Sequence, residues 1–92
     1  MDLALRQQLA EAANDVQMRE ILTFLYRDHP HGASFEKLKE QLLLHEAFEE
    51  SRLQTLVSAH ILSFQDTRYK IAAATRQVLD RDPAILMDEF LR

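Results

Sequence analysis

The chain has 92 residues, 47% of them apolar and 28% charged, with a formal net charge of −4. That balance suits one folded domain and excludes a disordered tail, which lacks the apolar content to offset its chain entropy. With no Cys in the chain, a disulfide, a thiolate nucleophile and a Cys-ligated metal are excluded. No apolar run approaches the roughly 20 residues that a membrane-spanning helix needs. The start, Met1-Asp2-Leu3, has neither the basic nor the apolar stretch of a signal peptide, so a cytoplasmic protein is expected. One Gly and two Pro predict helices joined by short loops.

Residues 3–13 (LALRQQLAEAA) read as a helix in which Leu5, Leu9, Ala12 and Val16 continue one apolar stripe. Asn14, three residues before Gln17, has the form of a capping box, so either a new helix starts there or the first runs through. Met18, Ile21, Leu22 and Leu25 recur at helical spacing. That helix stops at His29-Pro30, because the residue before a proline disfavours helical dihedrals. Pro30-His31-Gly32-Ala33 is the turn. Ser34 suits an N-cap, and Phe35, Leu38 and Leu42 share the face of the helix it opens. Leu43-Leu44-His45 is a joint, and a further helix is predicted over 46–59 with Leu53, Leu56 and Val57 inward.

The period then changes from helical to alternating. Leu62 and Phe64 flank Ser63, and Tyr69 and Ile71 flank Lys70. Two such runs around Gln65-Asp66-Thr67-Arg68 predict a β-hairpin with a four-residue loop. A helix over 73–79 follows. Asp82-Pro83 offers an N-cap and a first-turn proline for a last helix over 83–91, with Leu86, Met87, Phe90 and Leu91 inward.

Over about residues 16–79 this order resembles the winged helix-turn-helix domain. Ser34-Phe35-Glu36-Lys37-Leu38-Lys39-Glu40-Gln41-Leu42 is similar to the family's second helix. Leu53-Gln54-Thr55-Leu56-Val57-Ser58-Ala59-His60-Ile61-Leu62 is similar to the end of its third helix and the apolar pair opening the wing. Tyr69-Lys70-Ile71-Ala72-Ala73-Ala74-Thr75-Arg76-Gln77-Val78-Leu79 keeps the apolar skeleton that follows the wing. His60 and Thr75 stand where the family often has Gly, and Phe48-Glu49 is offset by one from its usual apolar position. The resemblance implies a fold that is mainly α with a small β-hairpin. The expected architecture is one winged helix-turn-helix domain over 1–92, with flanking helices at 3–13 and 83–91.

The function implied is that of a small transcriptional regulator. Its 46–59 helix would enter the major groove of double-stranded DNA, and its wing would hold the backbone. Cations must supply the phosphate contacts. Residues 61–79 carry Arg68, Lys70 and Arg76 against Asp66 alone, whereas the stretches on either side are net acidic. Arg68, Lys70 and Arg76 are therefore the expected phosphate contacts, and Ser51, Gln54 and Thr55 the expected contacts to base edges. Glu46, Glu49 and Glu50 suit the positive end of a helix dipole but repel phosphates. They support an alternative reading, a module that binds a protein partner through this acidic helix without binding DNA. A homodimer is expected through the chain ends, by Leu5, Leu9, Leu86, Met87, Phe90 and Leu91, with packing onto the chain's own core as the competing outcome.

Nothing in the pattern predicts catalysis, a metal or a cofactor. His29 and His31 come from one turn, His45 and His60 lie far apart, and a structural zinc takes four ligands. A phosphate loop needs more glycine than Gly32. Phe24, Tyr26 and Phe64 are readable either as core or as the lining of a small effector pocket.

Overall fold

The computed structural model describes residues 3–86. The predicted final helix falls largely beyond them. Pro83–Leu86 form a 3-10 turn, while Met87, Phe90 and Leu91 lie outside the described residues.

Helix α1 (Leu3–Ala13) buries Leu9 and Ala13. It ends where Asp15 takes an extended conformation (ψ 124°) and caps α2 (Val16–Thr23) by accepting the Met18 N–H at 3.0 Å. A new helix therefore begins here, and the capping residue is Asp15 rather than Asn14. Its carboxylate satisfies a backbone donor that the first turn would otherwise leave free. The chain continues through a wider, π-helical turn (Phe24–Asp28), closed by the His29 N–H on the Phe24 carbonyl. Met18, Ile21, Leu22 and Leu25 are all buried, as their spacing predicts.

Ser34 caps α3 (Phe35–Leu42) through its hydroxyl, which accepts from the Lys37 N–H. Leu43 ends the helix in the left-handed region at φ 51°. The next helix, α4, covers Ser51–Ser58 and starts five residues later than the predicted 46–59. The reason lies in Phe48, which stands five residues before Leu53. No single helical face holds both positions, since faces repeat at three and four. Residues 45–48 instead form a tight turn. The Phe48 N–H bonds the His45 carbonyl and the Ala47 N–H bonds His45 Nδ1. This turn lets Phe48 bury itself beside Phe35.

Strands β1 (Leu62–Gln65) and β2 (Arg68–Ile71) pair antiparallel, Leu62 opposite Ile71 and Gln65 opposite Arg68. The predicted four-residue loop is shorter in fact. Gln65 and Arg68 pair, and the turn is Asp66-Thr67 alone, with φ 54° and 62°. Two left-handed residues make the turn whose twist matches the strands. On its other edge β2 meets Ala33. The Ala33 N–H bonds the Tyr69 carbonyl at 2.9 Å, and the Tyr69 N–H bonds the Ala33 carbonyl at 2.8 Å. The hairpin thus gains a third, one-residue strand and is tied to the start of α3.

Helix α5 (Ala73–Arg81) runs two residues past its predicted end and buries Thr75, Val78 and Leu79. It packs beside α1 and the 3-10 turn. Asp82 closes α5 and immediately precedes the 3-10 turn, whose Ile85 N–H bonds its carbonyl, while its carboxylate pairs with Arg6 of α1. The result is mainly helical with a small antiparallel sheet. One core runs from Leu9 through Leu22, Leu38 and Leu53 to Ile61, Tyr69 and Leu79. No helix among the described residues is long and apolar enough to cross a membrane.

Candidate nucleic-acid interface

The candidate surface is built where α4 meets the hairpin. On β2 the alternation is complete: Tyr69 and Ile71 are buried, and Arg68 and Lys70 stand exposed on the opposite, outer face. Gln65 pairs with Arg68 and Ser63 with Lys70, so both belong to that same outer face. His31, from the turn before α3, joins Gln65, Asp66, Arg68 and Lys70 around a notch of about 90 Å³. Among the described residues, Arg68, Lys70 and His31 take part in no ion pair.

Tyr69 joins the inner face of the hairpin to α4. Its side chain is fully buried, yet its hydroxyl donates to Glu50 Oε2 at 2.7 Å and accepts from the Gln54 amide at 2.5 Å. The phenol is pushed up to about 12, by burial first, then by its bond to the Glu50 carboxylate and that group's negative charge. Phe64 lies against the Tyr69 ring at 4.6 Å between centroids and remains 43% exposed.

Of the expected base-contacting residues, Ser51, Gln54 and Thr55 are all exposed on α4. Only Ser51 has a side chain free of a hydrogen bond among the described residues. Gln54 is held by Tyr69. Thr55 donates its hydroxyl back to the Ser51 carbonyl at 3.0 Å, and it borders a groove of about 230 Å³ with Glu11, Asp15, Met18 and Arg52. Arg52 is anchored there. It reaches Asp15 at 3.0 Å, and its guanidinium sits 4.8 Å from the Phe48 ring.

Arg76, expected among the phosphate contacts, is directed elsewhere. It is half-buried, lies 4.9 Å from the Tyr26 ring and donates to the Tyr26 carbonyl. The Tyr26 hydroxyl in turn donates to Asp80, and that bond is the main cause of its raised pKa. Arg76 therefore joins α5 to the π-helical turn. Tyr26 also borders an apolar cavity of about 290 Å³ with Thr23, Arg27, Pro83 and Leu86. Phe24 packs on His29 and Phe64 on Tyr69.

The residues expected at a dimer contact divide. Leu9 is fully buried in the chain's own core, and Leu5 and Leu86 are partly buried against it. Met87, Phe90 and Leu91 lie outside the described residues. Among the described residues no group of three or more His, Asp or Glu stands close enough to hold a metal ion.

Two contributors were not singled out in the sequence, His31 and the Tyr69 hydroxyl. The alternation of β2 sends Tyr69 inward but carries no signal of where its hydroxyl ends. His31 had one available clue, its place beside the chain's single glycine. No family model, no curated protein and no solved structure matches this chain.

Proposed function

We propose that this chain binds double-stranded DNA as a winged-helix protein. The observation that carries the reading is the exposed cation pair Arg68 and Lys70, without an ion-pair partner among the described residues, on the outer face of a hairpin. That hairpin is bonded to the N-terminus of α4 through Tyr69. Three further features support it. Helices α3 and α4 are joined by the 43–50 segment with its tight turn at 45–48, the hairpin is the next element after α4, and Ala33 adds a third strand to the hairpin. In the proposed mode α4 enters the major groove with Ser51 foremost, and the wing neutralises backbone phosphates. Gln54 reads a base edge only if it leaves Tyr69, so sequence readout from α4 is narrow and the wing supplies most of the affinity. The proposal includes pairing of two copies on adjacent half-sites, because linked weak contacts multiply. Leu5 and Leu86 are the described residues of the expected set left to meet a second copy.

The test is a titration of generic duplex DNA at low and moderate salt, read by fluorescence anisotropy. Binding should weaken steeply with salt, and Arg68→Ala with Lys70→Ala should flatten the log–log slope by about 2, one unit for each lost phosphate contact. An unchanged affinity and slope in the double variant would defeat the mechanism.

One observation favours a second reading. Phe64 is half-exposed against the ring of Tyr69, whose hydroxyl bonds the Glu50 carboxylate. An apolar and acidic edge of this kind suits a basic, apolar peptide better than a phosphate backbone. A protein partner whose capture survives Arg68→Ala with Lys70→Ala, but fails with Glu49→Lys and Glu50→Lys, would support that reading over the first.

A further inference from the structure

We infer that the notch on the outer face of the hairpin seats one phosphate group, with His31 as a ligand alongside Arg68 and Lys70. The identification of that group as a DNA backbone phosphate rests on the DNA-binding reading above.

The notch brings together two segments that are far apart in sequence. Its volume of about 90 Å³ is enough to seat a single oxyanion. Arg68 and Lys70 present a guanidinium fork and an ammonium, the two side-chain donors that best match phosphate oxygens. Gln65 adds an amide, and His31 adds a ring N–H that donates whether the imidazole is neutral or charged. One wall is unfavourable to an anion, the Asp66 carboxylate.

The placement of His31 depends on Gly32. That residue has φ +97°, which only glycine adopts without strain. A Cβ built on it would stand 3.0 Å from the Tyr69 carbonyl oxygen and 3.2 Å from Lys70 Cβ. The backbone of the 30–33 turn therefore lies directly against β2, and the neighbouring His31 is delivered to the side chains of Arg68 and Lys70. The single glycine of the chain is spent at this one close approach.

Two exposed substitutions probe the notch without touching the core. His31→Ala removes the imidazole, and Asp66→Asn removes the opposing charge while keeping a residue type that tolerates φ 54°. For duplex DNA at low salt, His31→Ala should lower affinity roughly tenfold, the loss of one hydrogen bond to a charged group. Asp66→Asn should raise it. The melting temperature of His31→Ala should stay at the wild-type value, which a merely structural role for His31 would lower. If duplex binds the wild type but His31→Ala and Asp66→Asn leave affinity unchanged, the phosphate seat is overturned and the DNA reading stands. If the wild type binds no duplex, the DNA reading fails, and inorganic phosphate followed by NMR decides the notch alone. Shifts confined to His31, Gln65, Arg68 and Lys70 then support a seat for free phosphate, and their absence overturns it.

Discussion

The Tyr69 hydroxyl, on a side chain with no exposed surface, donates to the Glu50 carboxylate at 2.7 Å. One atom thereby couples the hairpin to the N-terminus of α4. Glu50 serves two ends here. Its carbonyl accepts the first helical bonds, from the Leu53 and Gln54 N–H groups, and its carboxylate receives the phenol instead of capping the helix. This gives one of the three acidic residues near α4 a structural role.

The same pair sets a pH dependence at the alkaline end. The Tyr69 phenol lies at about 12 in the folded chain against an ordinary 10.0, so the folded state holds its proton more tightly than the unfolded state does. The associated stability is fully present below about pH 10 and is lost as pH rises through about 12. Tyr26 is raised too and acts in the same direction. Denaturant melts across this window should show falling stability, with Tyr69→Phe removing the larger part of the slope and Tyr26→Phe the remainder.

Arg76 should behave as a structural residue and not as a phosphate ligand. Arg76→Ala removes the contact with the Tyr26 ring and the bond to the Tyr26 carbonyl. The expected loss is about 1 kcal/mol of stability, moderated because Nη2 is already buried without a partner among the described residues. Duplex affinity and its salt slope should stay at wild-type values. A slope reduced as much as by losing Arg68 or Lys70 would return Arg76 to the interface.

Leu43, His60, Asp66 and Thr67 all take left-handed backbone conformations, and glycine should relieve strain at two of them, His60 and Thr67. His60 ends α4 at φ 65°, where the His60 N–H bonds the Val57 carbonyl and the Ile61 N–H bonds the Leu56 carbonyl. That closure usually employs glycine. Thr67, a β-branched residue, sits at φ 62° in the hairpin turn. His60→Gly and Thr67→Gly should each stabilise the fold by about 0.5–1 kcal/mol, the larger gain at Thr67, whose branched Cβ fits a left-handed turn least. Thermal melts of the two single variants and the pair would check both the sign and the additivity.

At the start of α2, Asp15 both caps the helix and pairs with Arg52. The cap should dominate. Removing it costs about 1 kcal/mol, whereas an ion pair whose side chains are 44% and 42% exposed contributes at most about 0.5 kcal/mol. A double-mutant cycle of Asp15→Ala and Arg52→Ala should therefore give a coupling well below the single effect of Asp15→Ala.

The sequence by itself determined the elements whose signals are local. Periodicity at Met18, Ile21, Leu22 and Leu25, the Ser34 cap and the alternation around Lys70 all correspond to structure that forms as read. Each rests on residues within one or two turns of one another. Tertiary structure decided what depended on a distant partner. Helix α4 starts late because Phe48 must reach Phe35. Arg76 turns inward because Tyr26 offers it a ring and a carbonyl. Leu9 is spent on the chain's own core because α5 and the 3-10 turn close over α1. The candidate interface divides in the same way. Arg68 and Lys70 were legible because a strand's alternation fixes which side chains face out. The Glu50–Tyr69–Gln54 bonds and the position of His31 were not, because a side chain's partner across 15 or more residues is set by how the elements pack and leaves no periodic trace.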